Sequence, residues 1–180
     1  GALDEAQQTG KLSYDGYKKV WSDEFNGDSL NRADWNVEIH EKGWVNNELQ
    51  EYVDSAENIQ VKDGKLIINP VKKVTDGDTG STKEAASYTS GRVSTQNKQT
   101  FIYGRFECRA KVPKGQGYLP AFWLMANDEN VYGQWPRCGE IDCMEVMGQE
   151  TNKAYGTLHY GNPHSQSQGT YTITDGAGFS

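Results

Sequence analysis

Three carboxylates fall in one short apolar stretch, WPRCGEIDCMEVMG (Trp135 to Gly148): Glu140, Asp142 and Glu145. On a regular strand, residues 140 and 142 share one face and residue 145 takes the other. That other face also carries Ile141 and Cys143, so Glu145 would sit among apolar side chains without a partner, at a cost. A helix does no better, because residues 140 and 145 would stand about 140° apart around its axis. One extra residue absorbed by a β-bulge near Cys143-Met144 returns Glu145 to the face of Glu140 and Asp142 and turns Met144 inward. The two glutamates are then roughly 13 Å apart between Cα atoms, four strand steps. Side chains of about 4 Å reach, leaning together, leave roughly 5 Å between the carboxyls. A separation of ~5–5.5 Å suits double displacement at a glycosidic bond. One carboxylate attacks the anomeric carbon; the other protonates the leaving oxygen and then activates water.

These roles need different pKa values, and the proton donor must keep its proton near neutral pH. Neighbouring anions raise a carboxyl pKa, and Asp142 stands between the two glutamates as the natural modulator. The plainer alternative is three solvated acids on an exposed face. Against it stand the neighbours, Trp135 on one side and Val146-Met147 on the other, and a bulge, an irregularity that tends to mark sites.

The elements that must hold these acids read as strands. NIQVKDGKLIINPV is two alternating runs about Asp63-Gly64, a strong hairpin signal. KKVWSDEF ends at Asn26-Gly27, and YTSGRVSTQ leads into TFIYGRFECRAKV, which alternates from Tyr103 onward. YLPAFWLMA is apolar on both parities and is expected as a central strand covered on both faces. GEIDCMEVM and KAYGTLHYG follow. Thr75 to Ala86 reads as a long surface loop, and DSLNRADW as a single helical turn. With 180 residues, many short strands and almost no helical periodicity, the chain reads as one all-β domain, a sandwich or barrel.

Composition narrows the partners. The net charge is −7 and no run of Lys or Arg forms a stripe, which argues against nucleic acid or an anionic membrane. No apolar run approaches the ~20 residues of a membrane span. The polar start, residues 1–19, reads as an N-terminal extension with a processed or trimmed end, and residues 20–180 as the domain. Three cysteines cannot all pair within one chain. Cys108 follows the apolar parity of FECRAKV, and Cys143 has the parity opposite to the acids, so both are expected inside as buried free thiols; a bridge from Cys108 to Cys143 or Cys138 is the minority reading.

The acid segment resembles a known family. Glu140-Ile-Asp-Cys-Met-Glu145 is similar to the E-I-D-x-x-E signature of glycoside hydrolase family 16, and its extra residue to the laminarinase branch, the endo-β-1,3-glucanases. Lichenase-like and xyloglucan-acting members usually carry the shorter E-I-D-x-E. GWVNNELQEY, YTSGRVSTQNKQTFIYGRFECRAKVPKGQG, LPAFWLM and GTLHYG also resemble family segments, in family order, from about Val20 to Gly161. The resemblance implies a jelly-roll β-sandwich of two antiparallel sheets with a concave substrate cleft. It implies Glu140 as nucleophile, Glu145 as general acid/base and Asp142 as the assisting acid. It places Trp135 beside the nucleophile and Asn47, Arg92, Trp123 and His159 along the cleft.

Each of these has a plainer alternative. Trp135 suits an ordinary half-buried tryptophan, Arg92 a surface ion pair, His159 a hydrogen-bonded structural histidine, Asn47 a turn residue and Trp123 a core residue. Trp44 is a further candidate platform. Leu119 stands where many laminarinases have Trp, and Cys143 where an aliphatic residue is usual. The resemblance also implies a structural Ca²⁺, with Glu24 and Gly64 as candidate ligands and no part in catalysis. Family domains continue past GTLHYG, so the remaining C-terminal strands are expected elsewhere, as another chain among other routes. The resulting expectation is a secreted retaining endo-glycosidase acting on β-1,3-glucan, with mixed β-1,3/1,4-glucan as a second substrate. The alternatives are a carbohydrate-binding module or lectin, and a transglycosylase, on the same scaffold.

Overall fold

The computed structural model describes residues 14–74, 86–174 and 178–180. Its regular structure is eleven strands and one short helix: β1 (Asn36–Val37), β2 (Gln50–Tyr52), β3 (Ile59–Lys62), β4 (Lys65–Ile68), β5 (Val71–Val74), β6 (Ala86–Ser90), β7 (Val93–Ser94), β8 (Ala121–Met125), α1 (Glu129–Tyr132), β9 (Glu140–Glu145), β10 (Lys153–Tyr160) and β11 (Ser165–Thr172). The chain divides after Gly104 into two compact units.

The first unit holds β1–β7. Its clearest local code is the β3–β4 hairpin, where Ile59 pairs Ile68 and Val61 pairs Leu66. Asp63 and Gly64 turn the chain with φ of 53° and 72°, the left-handed pair that a tight two-residue hairpin needs. β5 pairs β6 antiparallel, but β2 joins β6 in parallel, so this sheet is mixed rather than purely antiparallel. β2 thus flanks β6 on the side away from β5, and a parallel neighbour leaves no local sequence signature. Asn58, 1% exposed, ties the layer together by donating from Nδ2 to the Asn69 carbonyl and Thr89 Oγ1, each at 3.0 Å. The DSLNRADW segment forms one helical turn, with Trp35 N donating to Asn31 O at 3.0 Å.

The second unit carries one antiparallel sheet in the order β11-β10-β9-β8. β9 lies inside it and β8 at an edge, so the expectation of a central position for YLPAFWLMA is corrected. Its apolar-on-both-sides pattern predicted a neighbour on each flank; among the described residues its one strand partner is β9, and Phe101–Lys111 forms no strand. KKVWSDEF likewise pairs with nothing as a strand. α1 was not legible as a helix; Asp128 caps it by accepting from Asn130 N. Past β9 the chain dives inward at fully buried Val146, whose N–H donates to Pro120 O at 3.2 Å. Gly148 then exchanges backbone bonds with Gly115 and Tyr118, and a Cβ there would lie 2.0 Å from Gly115 O. Only glycine fits so close a backbone approach.

The two faces of this sheet differ. Paired residues of antiparallel strands share a face, so Met125, Glu140 and His159 line up, as do Trp123, Asp142 and Thr157. The opposite face carries Leu124, Ile141 and Leu158. Ile141 and Leu158 are each 48% exposed, so this apolar face is open to solvent among the described residues. That openness corrects the expected burial of Cys108 and Cys143. Both are free thiols, as expected, but both are exposed. Beneath the bulge, Phe122, Met144, Val146, Val112, Cys108 and Phe179 line an apolar cavity of about 200 Å³. The expected loop at Thr75 to Ala86 lies outside the described residues except for Ala86, which opens β6, and residues 1–13 of the expected N-terminal extension lie outside them too.

Candidate active site

The acids converge because β9 is bulged where its sequence requires. Trp123 pairs Asp142 and Phe122 pairs Met144, leaving Cys143 as the extra residue. On the other flank Thr157 pairs Asp142 and Tyr155 pairs Glu145, so Gly156 alone spans Cys143 and Met144. Glu140, Asp142 and Glu145 thereby share a face.

Asp142 is the centre of this face. Its side chain is 4% exposed, against 22% for Glu140 and 18% for His159. His159 Nε2 lies 3.0 Å from Asp142 Oδ2 and 3.9 Å from Glu140 Oε2. Burial pushes the Asp142 carboxyl up to about 8, and hydrogen bonding and charge from Glu140, then Glu145, push in the same direction. The enclosed Asp142 is thus the carboxyl whose affinity for its proton the site raises.

Trp135 lies beside Glu140: its indole Nε1 donates to Glu140 Oε1 at 3.1 Å, and its ring lies 5.9 Å from that of His159. The loop that presents it is held by Glu129 of α1, whose Oε1 accepts from Trp135 N at 2.9 Å. Gly139 precedes Glu140 with φ of 85°, turning the chain into β9. Trp123 stands opposite Asp142, on the acid-bearing face and half-buried. Two residues at the site escaped the sequence reading. Glu129 gave no signal, its role depending on a loop closure six residues on. His164 could have been found, because the turn after His159 must bring residues a few positions later back beside it. His164 Nε2 lies 2.9 Å from His159 Nδ1, and its ring lies 5.1 Å from that of Trp135, tilted by 38°.

Arg92 and Asn47 belong to the first unit. Arg92 Nε donates to Glu38 Oε2 at 3.0 Å, and its guanidinium lies 4.9 Å from the centre of the Trp44 ring and 5.9 Å from that of Tyr52. Trp44 is 42% exposed and stacks on His40 at 3.4 Å. Asn47 follows Asn46 in a turn, both with left-handed φ near 51–52°.

One donor of each of Glu140, Asp142 and His159 lies within 4.8 Å of the others, a spacing that a cation also accepts. Their mutual hydrogen bonds account for the spacing without one. Glu24 is exposed, and Gly64 occupies the β3–β4 turn; Glu24 enters no cluster of three acidic, cysteine or histidine donors among the described residues. No helix among the described residues is long and apolar enough to cross a membrane.

Two glutamates thus share a sheet face with an enclosed aspartate between them, the Trp135 indole on Glu140 and the His159 imidazole on Asp142. The chain belongs to glycoside hydrolase family 16. The family profile described as Beta-porphyranase A-D, GH16 domain, matches residues 17–178. The chain is 39% identical to glucan endo-1,3-beta-glucosidase A1 of Niallia circulans over 177 residues, which is 91% of this chain and 25% of that protein. It is 46% identical to glucan endo-1,3-beta-glucosidase of Cryptopygus antarcticus over 143 residues, 78% of this chain and 50% of that one. The laminarinase from Rhodothermus marinus superposes with a TM-score of 0.74 at 36% identity, covering 86% of this chain and 61% of its own. The fold is therefore the all-β jelly roll of these enzymes, and the chain spans half or less of the length of the two relatives.

Proposed function

We propose that the protein is a secreted endo-glycosidase that hydrolyses β-1,3-glucan with retention of anomeric configuration, with mixed β-1,3/1,4-glucan as a second substrate. The observation that carries this reading is the bulge at Cys143, which sets Glu140 and Glu145 on one face with Asp142 between them. Glu140 is the nucleophile: its carboxylate is held by the Trp135 indole, which leaves the second oxygen toward His159. Glu145 donates a proton to the leaving oxygen and then takes one from the attacking water. Asp142, kept protonated by burial between them, adds no third charge between the glutamates. When Glu140 becomes an ester its charge disappears, and one of the causes that raise Asp142 goes with it. Trp135 and Trp123 offer flat apolar surface to sugar rings. Arg92, Asn47 and Trp44 supply donors and an aromatic face of the kind that lines sugar subsites. A calcium ion held through Glu24 and the Gly64 carbonyl would serve the fold and take no part in the reaction. The open face of Ile141 and Leu158 supports a requirement for further strands to complete the enzyme.

Glu140→Ser should abolish reducing-end release from laminarin while the fold persists; retained hydrolysis would remove the mechanism. The matching family profile is described as that of β-porphyranases, which favours a galactan as the second reading. Product analysis on laminarin, lichenan, agarose and porphyran side by side decides between them. Binding without cleavage of any would support a lectin, and oligosaccharides longer than the substrate a transglycosylase.

A further inference from the structure

His164 closes a line of side chains that begins at the buried acid. His159 Nε2 faces Asp142 Oδ2 at 3.0 Å, and His159 Nδ1 faces His164 Nε2 at 2.9 Å. Both nitrogens of the His159 ring are committed. The two imidazole rings lie 5.2 Å apart and only 21° from parallel, and Trp135 packs against both. A neutral imidazole has one N–H and one lone pair, so the tautomers are coupled. With Asp142 ionised, His159 donates from Nε2 and accepts at Nδ1, and His164 donates from Nε2. With Asp142 protonated, the acid donates to His159 Nε2, His159 donates from Nδ1, and His164 accepts at Nε2. Reversing one hydrogen bond reverses the other.

We propose that His164 is a positioning residue for the hydrolysis, the solvent end of a two-imidazole relay through which Asp142 loses and regains its proton. The proposal rests on the glycosidase reading above, which gives that proton a task. Water does not reach Asp142 directly, because its side chain is 4% exposed, whereas His164 is exposed on the turn between β10 and β11. The transfer balances. The Asp142 proton passes to His159 Nε2, the His159 Nδ1 proton to His164 Nε2, and the His164 Nδ1 proton to water. Both imidazoles end neutral, Asp142 ends as the anion, and the reverse sequence restores it. Loss of the Glu140 charge in the glycosyl-enzyme favours release, and hydrolysis of the ester favours return. The groups facing this line are Glu140 and Glu145 from β9, Trp123 from β8, Thr157 from β10, Gln166 opposite His159 on β11, and Trp135. Of these only the two glutamates are titratable, and the Glu140 carboxylate favours the proton staying inside until it is esterified.

The test is His164→Phe, which keeps an aromatic ring against Trp135 and His159 but removes both nitrogens. Nitrogen-15 NMR of the histidine side chains reads the His159 tautomer in the resting protein, with no need for turnover. The relay requires that the His159 ring nitrogens shift in the variant. It also requires kcat on laminarin to fall about 3- to 10-fold, the size of one lost hydrogen bond, with KM unchanged and the pH profile of kcat displaced. An unchanged His159 spectrum would overturn the proposal, as would a variant whose only defect is a raised KM, which would make His164 a simple sugar platform. If the wild-type protein does not cleave laminarin, the glycosidase reading fails, and the His159 spectrum still decides whether His164 governs the tautomer.

Discussion

Changing the length of β9 by one residue in each direction should have opposite outcomes. Cys143 is the residue without a partner on β8, since Asp142 pairs Trp123 and Met144 pairs Phe122. Deleting it lets Met144 follow Asp142 in regular alternation. Glu145 then still pairs Ala121 and Tyr155, and still stands four strand steps from Glu140, roughly 13 Å between Cα atoms. Inserting one alanine between Asp142 and Cys143 adds a further step. The Cα separation grows to roughly 16–17 Å, and the alternation sends Glu145 to the face of Leu124, Ile141 and Leu158. The glutamates then cannot flank one glycosidic bond. The insertion should cost at least the ~10²–10⁴-fold of a lost general acid, whereas the deletion should stay within about tenfold of wild type. Cys143→Ala, which keeps the length, is the control for side-chain chemistry. Reducing-end release from laminarin gives kcat/KM, and thermal melting shows that each variant is folded. A folded deletion variant without activity, or a folded insertion variant near wild-type activity, would refute the bulge as the device that assembles the site.

The other predictions concern stability. Asp142 has a folded pKa of about 8 against an ordinary 3.8, so its contribution is fully present below about 4 and is lost as pH rises toward 8. The slope reaches at most about 1.4 kcal/mol per pH unit, shared with the glutamates coupled to it. Asp142→Asn should therefore gain on the wild type between pH 5 and pH 8.5 in urea unfolding, and a pH-independent difference would count against the enclosed protonated acid. Gly148→Ala places a Cβ 2.0 Å from Gly115 O, and should destabilise by about 3 kcal/mol, read as a lower urea midpoint; an unchanged midpoint would mean that the backbone approach is looser than described. A chelator should lower the melting temperature of the wild type but not of Glu24→Gln if calcium rests on that carboxylate, and equal shifts in both would take Glu24 out of the site.

What the sequence disclosed and what it hid follow from one distinction. Local periodicity specifies which face a residue takes, so the hairpin at Asp63-Gly64, the strand status of β8–β10 and the bulge at Cys143 were all legible from spacing alone. Position within a sheet is set by partners distant in sequence. Spacing therefore points β8 to the centre, gives no sign of the parallel β2–β6 pair, and sends Cys108 and Cys143 to an interior that the described residues leave open. The same distinction divides the site. That Glu140, Asp142 and Glu145 share a face is a property of one strand. Which of them keeps its proton is a property of enclosure, which depends on His159 across the ladder and Trp135 on a loop tied down by Glu129. The alignment of the three acids is thus encoded locally, but the enclosure of Asp142 is encoded by neighbours from other elements. Substitutions at Glu129, Trp135 or His164 should accordingly act on the pH dependence of the reaction, whereas those at Glu140 and Glu145 act on whether it occurs at all.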